Sequence, residues 1–332
     1  MNNNINICFS SDNNYIPHLA VAVTSLLINC KGEYRVDIYI LNDGSITESN
    51  RSRLKKLESL RANSSVSFTA IDSSVFKAMP LIRGSLFTEA TYYRYIIPSL
   101  FKDIDRMVYL DCDIVVRGDV TELFAAELGG KSIGAVQDII GRECQEYLGL
   151  DPQIYTYCNA GVLVMDIGRL REINSQERLI EFTLANSKSL KLLDQDAINS
   201  VLRDEITYLG LEWNLLLNRE VKNPDYDAEI YSRAQREPKI VHFIGRKKPW
   251  NFGCPNPNPF AKEYWHYLRL TEFYDEVRTA AFWSLRKIIY RTDYTPTKTR
   301  TRLFGLPVCK VVNSENSKKL YILGIKIVTK RL

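Results

Sequence analysis

The chain has 332 residues, 45% of them apolar and 25% charged, with a formal net charge of +5, which suits one large α/β domain with an appendage, or two domains. It has no run of about 18 uncharged apolar residues, and its start, Met1-Asn2-Asn3-Asn4, lacks the basic residues of a signal peptide, so we expect it to stay in the cytosol. Its seven cysteines form no Cys-x-x-Cys pair, which argues against a disulfide framework or a zinc knuckle and predicts reduced thiols.

The N-terminal part of the chain alternates strand and helix patterns. The segments 5–9, 36–41 and 65–71 each predict a strand, whereas 18–29 and 47–60 predict helices. This alternation implies a largely parallel sheet covered by helices, as in the opening of a nucleotide-binding α/β unit. Neither Gly-x-Gly-x-x-Gly nor a Walker loop is present in the sequence, so something other than a glycine cradle must hold any phosphate.

A pair of carboxylates, Asp111 and Asp113, follows the apolar run 106–110, which predicts a buried strand. Side chains two residues apart on a strand share a face, so we expect both to reach one ion. Carboxylate oxygens suit Mg²⁺ or Mn²⁺, which usually complete their coordination with water and substrate phosphates. Cys112 is expected to face the opposite way, as a small core residue.

The Asp-x-Asp pattern also occurs at Asp103/Asp105, Asp194/Asp196 and Asp225/Asp227. The first of these pairs precedes the predicted strand and the last lies in a polar loop, where a solvated turn is the usual interpretation. Open α/β sheets bind ligands at the carboxyl ends of their strands, and this context favours Asp111 and Asp113.

A second cluster begins with a short predicted strand that delivers His242 and continues through Gly245 to three cations at 246–248. A lone histidine after a strand is more often packed or hydrogen-bonded than a ligand, although imidazole is a common metal ligand. A glycine that lets the backbone come close, followed by lysines acting as point charges, suits a diphosphate. Gly245 and Lys248 therefore strengthen the interpretation of His242 as a ligand.

Six motifs match one known family, in that family's order. They are Phe9-Ser10-Ser11-Asp12-Asn13-Asn14-Tyr15, Thr91-Tyr92-Tyr93-Arg94, Val108-Tyr109-Leu110-Asp111-Cys112-Asp113, Cys158-Asn159-Ala160-Gly161-Val162-Leu163, Leu193-Asp194-Gln195-Asp196-Ala197-Ile198-Asn199 and His242-x-x-Gly245-x-x-Lys248-Pro249-Trp250. On these residues the chain resembles the retaining glycosyltransferases of family 8, the bacterial lipopolysaccharide galactosyl- and glucosyltransferases that are similar in fold to glycogenin.

The resemblance implies a GT-A nucleotide-binding fold of the α/β class with a mixed, mostly parallel sheet, a UDP-hexose donor and a Mn²⁺ or Mg²⁺ ion. The implied metal ligands are Asp111, Asp113 and His242. The implied donor contacts are Asp12 and Asn14 for the nucleoside, Gly245 and Lys248 for the diphosphate, and Arg94, Asp138, Asn159, Ala160, Asp194 and Gln195 for the sugar or its surroundings. Simpler interpretations stay open, with 159–161 as a turn before a strand at 162–165 and Asp194 as a helix cap.

The implied reaction breaks a glycosidic bond to a nucleoside diphosphate, and a divalent cation offsets the charge of that leaving group. Asp194 or Asp138 would orient sugar hydroxyls and favour positive charge at the ring. Retention normally suggests a carboxylate nucleophile, but the matching position is Gln195, whose amide is a poor nucleophile. We therefore expect front-side attack, in which the acceptor hydroxyl enters where the diphosphate leaves and a donor phosphate oxygen takes its proton.

The C-terminal region differs in charge from the rest of the chain. From Arg278 onward, 13 Lys or Arg stand against two acids, a net of +11, whereas the other 31 basic and 37 acidic residues give −6. We expect a catalytic domain at 1–265 and a basic, amphipathic, membrane-associating region at 266–332. The segment 273–291 predicts a helix suited to an anionic membrane surface, and a helix packed on the protein is the alternative.

Two motifs at 303–308 and 322–327 share the order apolar-apolar-Gly-apolar-x-apolar. We predict that they form two strands joined by 313–319, a hairpin-like appendage with basic rims. A cation near an anionic membrane contributes about 1 kcal/mol, which favours peripheral binding at the inner face of the cytoplasmic membrane. Nucleic acid is disfavoured as a partner, because no nucleic-acid motif accompanies the basic residues and the remaining chain is acidic.

Together these patterns predict a metal-dependent retaining hexosyltransferase that moves galactose or glucose from a UDP-sugar to a cell-surface glycan such as lipopolysaccharide or lipooligosaccharide, in an alpha linkage. One alternative is a sugar-phosphate nucleotidyltransferase, which would release pyrophosphate. Another is a non-catalytic sugar-nucleotide-binding partner in glycan assembly, which the intact Asp111, Asp113 and His242 disfavour.

Overall fold

The computed structural model describes residues 4–82, 88–217, 227–251, 259–295, 297–304, 306–314 and 317–331. The chain divides into two compact units. The first comprises Met1–Arg246 and Asn258–Phe273, and the second comprises Lys247–Pro257 and Tyr274–Leu332. The functional division predicted from the sequence, 1–265 and 266–332, stays a prediction.

Within the described residues of the first unit, strands and helices alternate along the chain. The strands are β1 (Asn4–Ser10), β2 (Arg35–Asn42), β3 (Ser64–Ala70), β4 (Arg106–Leu110), β5 (Ile114–Val116), β6 (Ile133–Gln137), β7 (Cys158–Asp166), β8 (Ile206–Tyr208), β9 (Leu215–Leu216) and β10 (Ile240–His242). The helices are α1 (Ile16–Asn29), α2 (Glu48–Lys55), α3 (Ile97–Leu100), α4 (Val120–Phe124), α5 (Gly141–Leu148), α6 (Ile167–Glu172), α7 (Ser175–Ala185), α8 (Asp194–Val201), α9 (Ala228–Arg236) and α10 (Ala261–Leu268). Short 3-10 helices cover Asn13–Tyr15, Lys56–Leu60, Ser73–Phe76, Glu89–Ile96, Arg203–Glu205 and Leu211–Asn214.

The main sheet has seven strands in the order β3-β2-β1-β4-β7-β6-β8. Strands β1 to β4 run parallel to one another, whereas β7 pairs antiparallel with both β4 and β6. A small sheet, β5-β10-β9, lies beyond β4 in the chain. The predicted mixed, mostly parallel sheet is confirmed, and the predicted strands at 5–9, 36–41 and 106–110 fall within β1, β2 and β4.

Local sequence explains how the first strand–helix unit forms. Asp12 accepts hydrogen bonds from two backbone amides at the start of the 3-10 helix, and Pro17 lies in the first turn of α1, where no backbone donor is needed. Every residue from Ile16 to Leu27 is buried, which explains why α1 shows no polar face. The helix packs against β5, α10 and the 3-10 helix Lys56–Leu60.

The principal hydrophobic core lies between the sheet and the segments that carry the site. It includes Tyr92 and Tyr95 from a 3-10 helix, Met107 from β4, Leu163 from β7 and Ile198 from α8. Aromatic rings such as these bury large areas and fix their elements firmly. The elements that carry the candidate site are therefore packed together in one hydrophobic core.

The described residues of the second unit form one helix and an antiparallel sheet. They are α11 (Tyr274–Ile289), β11 (Tyr290–Thr295), β12 (Lys298–Leu303), β13 (Leu306–Ser314), β14 (Ser317–Ile322) and β15 (Ile325–Arg331), with the strands in chain order across the sheet. The predicted strand bounds 303–308 and 322–327 are wrong, because within each motif one strand ends and the next begins. The predicted connection 313–319 includes the end of β13 and the start of β14, which pair antiparallel. Phe304 and Leu323 have φ of 49° and 48°, the left-handed conformation that two-residue hairpin turns require.

Helix α11 confirms the predicted helical pattern of 273–291, but its first half is not free to bind a membrane. Val277 and Ala281, two of its apolar positions, are buried. The side chains of Leu285, Ile288 and Ile289 lie outside the described residues, as do those of the cations Arg286, Lys287 and Arg291. Among the helices that the structure describes, none has the length and apolar run needed to cross a bilayer.

Candidate active site

Asp111 and Asp113 lie on either side of a bend between β4 and β5. The expectation that a continuous strand carries both is wrong, because β4 ends at Leu110 and the chain turns into a different sheet. Two backbone hydrogen bonds hold the bend, from Asp111 N–H to the Gly161 carbonyl (2.8 Å) and from Phe243 N–H to the Asp113 carbonyl (2.9 Å). The bend, rather than strand alternation, makes the two carboxylates converge.

Strand β10 brings a histidine to the same point, because it pairs antiparallel with β5 and places His242 opposite Ile114. His242 Nε2 lies 3.1 Å from Asp113 Oδ1 and 3.8 Å from Asp111 Oδ2. In the described part of the chain, this is the one group of three or more such side chains whose ligand atoms all lie within 4.8 Å of one another. The three residues predicted as metal ligands are therefore assembled.

The hydrogen-bond network around His242 shows whether these residues fit a cation. His242 Nδ1 lies 3.0 Å from Asn214 Oδ1, and Asn214 Nδ2 donates to Asn159 Oδ1 at 2.8 Å. Assigned from this network, Nδ1 carries a proton that it donates to Asn214, and Nε2 faces Asp113 and Asp111. Two carboxylates and an imidazole nitrogen are ligands that Mn²⁺ or Mg²⁺ can bind, so the donor set fits such a cation.

Gly161 on β7 provides the space for this cluster. A Cβ at this position would approach His242 Cε1, and it would lie 2.7 Å from Asp111 Oδ2 and 2.9 Å from His242 Nδ1. Real Cβ atoms essentially never come this close to another heavy atom. The absence of a side chain at residue 161 is thus a condition for the observed positions of two predicted ligands.

Arg94 connects the cluster to a second buried carboxylate. Its Nη2 donates to Asp111 Oδ1 at 3.0 Å, its Nη1 donates to the Ala160 carbonyl, and its Nε donates to the Thr91 carbonyl at 3.1 Å. The same Nε lies 3.1 Å from Asp194 Oδ2 in an ion pair. Because the Nε–H points to Thr91, Asp194 Oδ2 is buried without a hydrogen-bond donor.

Burial therefore disfavours ionisation of the Asp194 carboxyl, and its Oδ2 atom accepts no hydrogen bond. Its Oδ1 accepts a hydrogen bond from Thr91 Oγ1 at 2.5 Å, while burial raises its pKa from 3.8 to about 6 against the opposing effect of Arg94. A buried oxygen without a donor suits a hydroxyl-bearing ligand, which would supply the missing hydrogen bond.

We expect the stability of the protein without metal to fall as this carboxyl ionises. The folded state binds the proton more tightly than the unfolded state, so the stabilising contribution is complete below pH 3.8 and is lost as pH rises through about 6. A shift of this size corresponds to about 3 kcal/mol. Urea unfolding with a chelator, at about pH 4 and about pH 7, should show this loss in the wild type and not in Asp194→Asn. Parallel pH dependences for the two proteins would contradict the assignment.

Gln195 lies at the centre of a second network. Its Nε2 donates to Asp138 Oδ2 (3.1 Å), and its Oε1 accepts from Asn159 Nδ2 and from Ala160 N–H, both at 3.0 Å. Asn159 Nδ2 also donates to Asp138 Oδ2 at 2.9 Å. These bonds fix the orientation of the amide, and four of the predicted donor-sugar residues are thus brought together.

The simpler interpretations of two motifs are wrong. Residues 159–161 lie inside β7 and not in a turn before it. Asp194 does not cap α8, because the N-cap residue is Leu193 and the Asp194 side chain bonds to Thr91. In both places a buried network uses the polar side chains that a turn or cap would have exposed.

The remaining predicted contacts are less closely tied to this centre. Asp12 accepts hydrogen bonds from the Asn14 and Tyr15 amides as the cap of the first 3-10 helix, and Asn14 is exposed. Gly245 has φ of +69°, so a glycine is required there. Lys248 is buried and belongs to the second unit. The roles of these residues toward a nucleotide stay predictions.

The other Asp-x-Asp pairs have separate structural roles. Asp103 and Asp105 are exposed, as predicted. Asp227 caps α9, and Asp225 lies outside the described residues. Buried Asp196 holds the loop before α8, since it accepts hydrogen bonds from the Tyr147 and Tyr157 hydroxyls (2.6 Å each) and from two backbone amides at 191 and 192.

Three polar residues of the site were not predicted from the sequence. Asn214 orients His242, Thr91 bonds Asp194, and Asp196 fixes the loop that presents Asp194. Thr91 stands in a matched motif, beside Arg94, and could have been found there. Asn214 is the last residue of an ordinary 3-10 helix and carries no local signal. Cys112 is buried as predicted, and burial raises the pKa of its thiol. The six cysteines in the described part of the chain, which excludes Cys254, are free.

Comparison with known proteins gives consistent matches. The model of the family described as Glycosyl transferase family 8 matches residues 6–254. General stress protein A of Bacillus subtilis strain 168 is 31% identical over 277 residues, covering 81% of this chain and 94% of that protein. Lipopolysaccharide 1,2-glucosyltransferase of Escherichia coli K12 is 25% identical over 251 residues, covering 74% of this chain and 73% of that protein.

Among solved structures, the galactosyltransferase LgtC in complex with donor and acceptor sugar analogs superposes with a TM-score of 0.71. The sequence identity is 24%, and the match covers 81% of this chain and 96% of that one. This similarity is one of fold, and it agrees with the GT-A fold predicted from the sequence.

Proposed function

Because the chain belongs to glycosyl transferase family 8, we propose that it moves galactose or glucose from a UDP-sugar to a cell-surface glycan, with retention and formation of an alpha linkage. Lipopolysaccharide or lipooligosaccharide is the proposed acceptor, since a lipopolysaccharide glucosyltransferase is among the relatives. The observation that carries the proposal is the convergence of Asp111, Asp113 and His242, an oxygen-rich donor set that suits a divalent cation and a diphosphate.

A divalent cation held by these three residues would supply Lewis-acid stabilisation of the departing nucleoside diphosphate. The chain's own groups then position the sugar. Asp194 Oδ2 is ion-paired with Arg94 but has no hydrogen-bond donor, so it offers a buried acceptor for a sugar hydroxyl, and its negative charge favours an oxocarbenium-like ring. Gly245 would admit a phosphate close to the backbone, and Lys248 would add a positive contact. Asp12 and Asn14 would bind the nucleoside.

Gln195 supports front-side attack over a covalent intermediate. Both ends of its amide are hydrogen-bonded, to Asp138 at one end and to Asn159 and the Ala160 amide at the other. An amide held in this way is a poor nucleophile but a good orienting group. We propose that Gln195, Asp194 and Asp138 fix the sugar while the acceptor hydroxyl attacks on the leaving-group face and gives its proton to a phosphate oxygen. A trapped glycosyl adduct on any of the three residues would contradict this.

The test is a screen of UDP-sugars for Mn²⁺-dependent hydrolysis and for transfer to lipooligosaccharide acceptors. We expect release of UDP from UDP-galactose or UDP-glucose, and an increase in the rate when an acceptor is added. Release of pyrophosphate would identify a nucleotidyltransferase instead. Binding of a UDP-sugar without turnover on any acceptor would identify a non-catalytic partner in glycan assembly.

The basic C-terminal region is proposed to bring the enzyme to its acceptor. Residues from Arg278 onward carry a net charge of +11, and an anionic membrane attracts such a region strongly. We propose peripheral association with the inner face of the cytoplasmic membrane. Deletion of 278–332 should release the protein from anionic vesicles.

A further inference from the structure

Two turns of the C-terminal sheet are closely alike in sequence, conformation and exposure. The first joins β12 to β13 and the second joins β14 to β15, and in each the flanking residues pair across the turn, Leu303 with Leu306 and Ile322 with Ile325. The side chains at the turns are largely exposed: Phe304 70%, Leu306 69%, Leu323 70% and Ile325 68%. Large apolar side chains at exposed turns call for an explanation, since turns are ordinarily polar.

The two turns are neighbours at one end of the sheet. Strands β13 and β14 are adjacent, with Cys309 opposite Ile322, and Leu323 N–H donates to the Val308 carbonyl at 3.0 Å. The six flanking and central residues therefore form one continuous apolar border, called here the tip edge: Leu303, Phe304, Leu306, Ile322, Leu323 and Ile325. Scattered apolar residues are normal on a surface, but a contiguous set marks an interaction site.

Cations lie on one face of the sheet that carries the tip edge. Arg300, Lys310, Tyr321 and Lys326 are successive cross-strand partners and so share one face of the sheet. Lys310 Nζ lies 5.0 Å from the centre of the Tyr321 ring. Arg300 and Lys310 are directly opposed like charges, an arrangement that destabilises a sheet. On its other side Arg300 is opposite Asp293, one of two acids among residues 290–332. The face thus carries unbalanced positive charge that suits an anionic partner.

We propose that the tip edge inserts into the headgroup and acyl boundary of an anionic lipid bilayer while the surrounding cations bind the phosphates. The inference rests on the proposed membrane association and identifies the residues that perform it. Reversible but stable binding takes two signals, an apolar anchor and a basic patch, and this sheet presents both. A second copy of the chain is a poorer occupant, because residues 290–332 hold ten Lys or Arg against two acids and would repel their like.

Insertion and electrostatic adsorption differ in how vesicle binding depends on salt. Adsorption by charge alone weakens steeply with salt, since the Debye length is about 8 Å at 0.15 M and about 3 Å at 1 M. Insertion of apolar side chains does not depend on salt in this way. The full-length protein should therefore keep part of its vesicle binding at high salt, and that part should depend on the tip edge.

The test uses the full chain and vesicles of phosphatidylcholine with about one-quarter phosphatidylglycerol. The variant Phe304→Asn/Leu323→Asn creates Asn-Gly turns, which suit the left-handed conformation and keep both hairpins. We expect it to bind at least about tenfold more weakly and to lose the salt-resistant fraction. The control Ile230→Gln/Leu184→Gln removes two exposed apolar side chains from α9 and α7 and should bind like the wild type.

Two further measurements decide the outcome. Brominated lipids should quench the tryptophan fluorescence of a Phe304→Trp variant more than that of the wild type. The proposal is overturned if there is no extra quenching, or if the Asn variant binds vesicles as well as the wild type does. A stable dimer in solution that the Asn substitutions abolish would assign the tip edge to a second copy and overturn it as well. UDP-sugar hydrolysis without vesicles should be the same in the Asn variant and the wild type. Failure of the proposed function would be seen separately, because the wild type would then hydrolyse no UDP-sugar.

Discussion

Asp113→Asn should lower metal-dependent turnover by about a thousandfold or more, which corresponds to several kcal/mol of lost charge stabilisation. The substitution removes one negative charge and places an amide donor close to His242 Nε2, which lies 3.1 Å from the native Oδ1. The amide can then occupy the lone pair that a cation would use. Asn and Asp have nearly the same shape, so the fold should be kept.

Mn²⁺ titration by calorimetry and the rate of UDP-sugar hydrolysis would measure the two effects on the same protein sample. The matched control is Asp103→Asn, the same change in an exposed Asp-x-Asp pair, and it should leave both quantities unaltered. Full activity of Asp113→Asn at ordinary Mn²⁺ concentrations would overturn the assignment of the site.

Gly161→Ala should weaken Mn²⁺ binding by about 10- to 100-fold, the scale seen when groups that orient metal ligands are removed. The added methyl would lie 2.7 Å from Asp111 Oδ2 and would displace the buried His242 ring. Overpacking of this kind also costs about 1–3 kcal/mol of stability. The measurements are Mn²⁺ affinity, turnover and thermal unfolding.

Gly168→Ala is the control for this prediction, because its added methyl would meet Asp166 Oδ1 at 3.5 Å, an ordinary contact. We expect Gly168→Ala to bind Mn²⁺ normally and to be at least as stable as the wild type, since alanine favours the helix α6. If Gly161→Ala binds Mn²⁺ normally and is merely less stable, the glycine has a packing role and no role at the metal site.

The sequence was sufficient to predict that Asp111, Asp113 and His242 come together, although one reason given for it was incorrect. Asp111 and Asp113 were expected to share a strand face, whereas a bend between two sheets brings them together with His242. The convergence could be predicted because the motifs are matched as a set along the chain, and a set of this kind does not depend on the local backbone. Geometry at a bend depends on long-range pairing, here between β5 and β10, which local patterns do not encode.

The supporting residues and the C-terminal sheet were harder to predict for the same physical reason. Asn214 reaches His242 through pairing that brings together segments 28 residues apart. Asp194 lies one residue after the N-cap Leu193 and bonds to Thr91, a partner distant in sequence. In the second unit, an apolar-apolar-Gly sequence predicts a strand by composition. The positive φ of Phe304 and Leu323 instead places a hairpin turn within each motif. Because hydrophobic residues rarely occupy hairpin turns, the sequence does not indicate these turns.

The guanidinium of Arg94, which bridges Asp111 and Asp194, also sets the charge balance of the site. The Asp111, Asp113 and Asp194 carboxylates and the Arg94 guanidinium together carry a formal charge of −2, equal and opposite to that of one divalent cation. Without a cation, the negative charge of the cluster would repel a diphosphate. With a divalent cation bound, the net charge of the cluster would be zero and this repulsion would be removed. If the proposed donor and cation bind here, we therefore expect the donor to enter with the cation or after it.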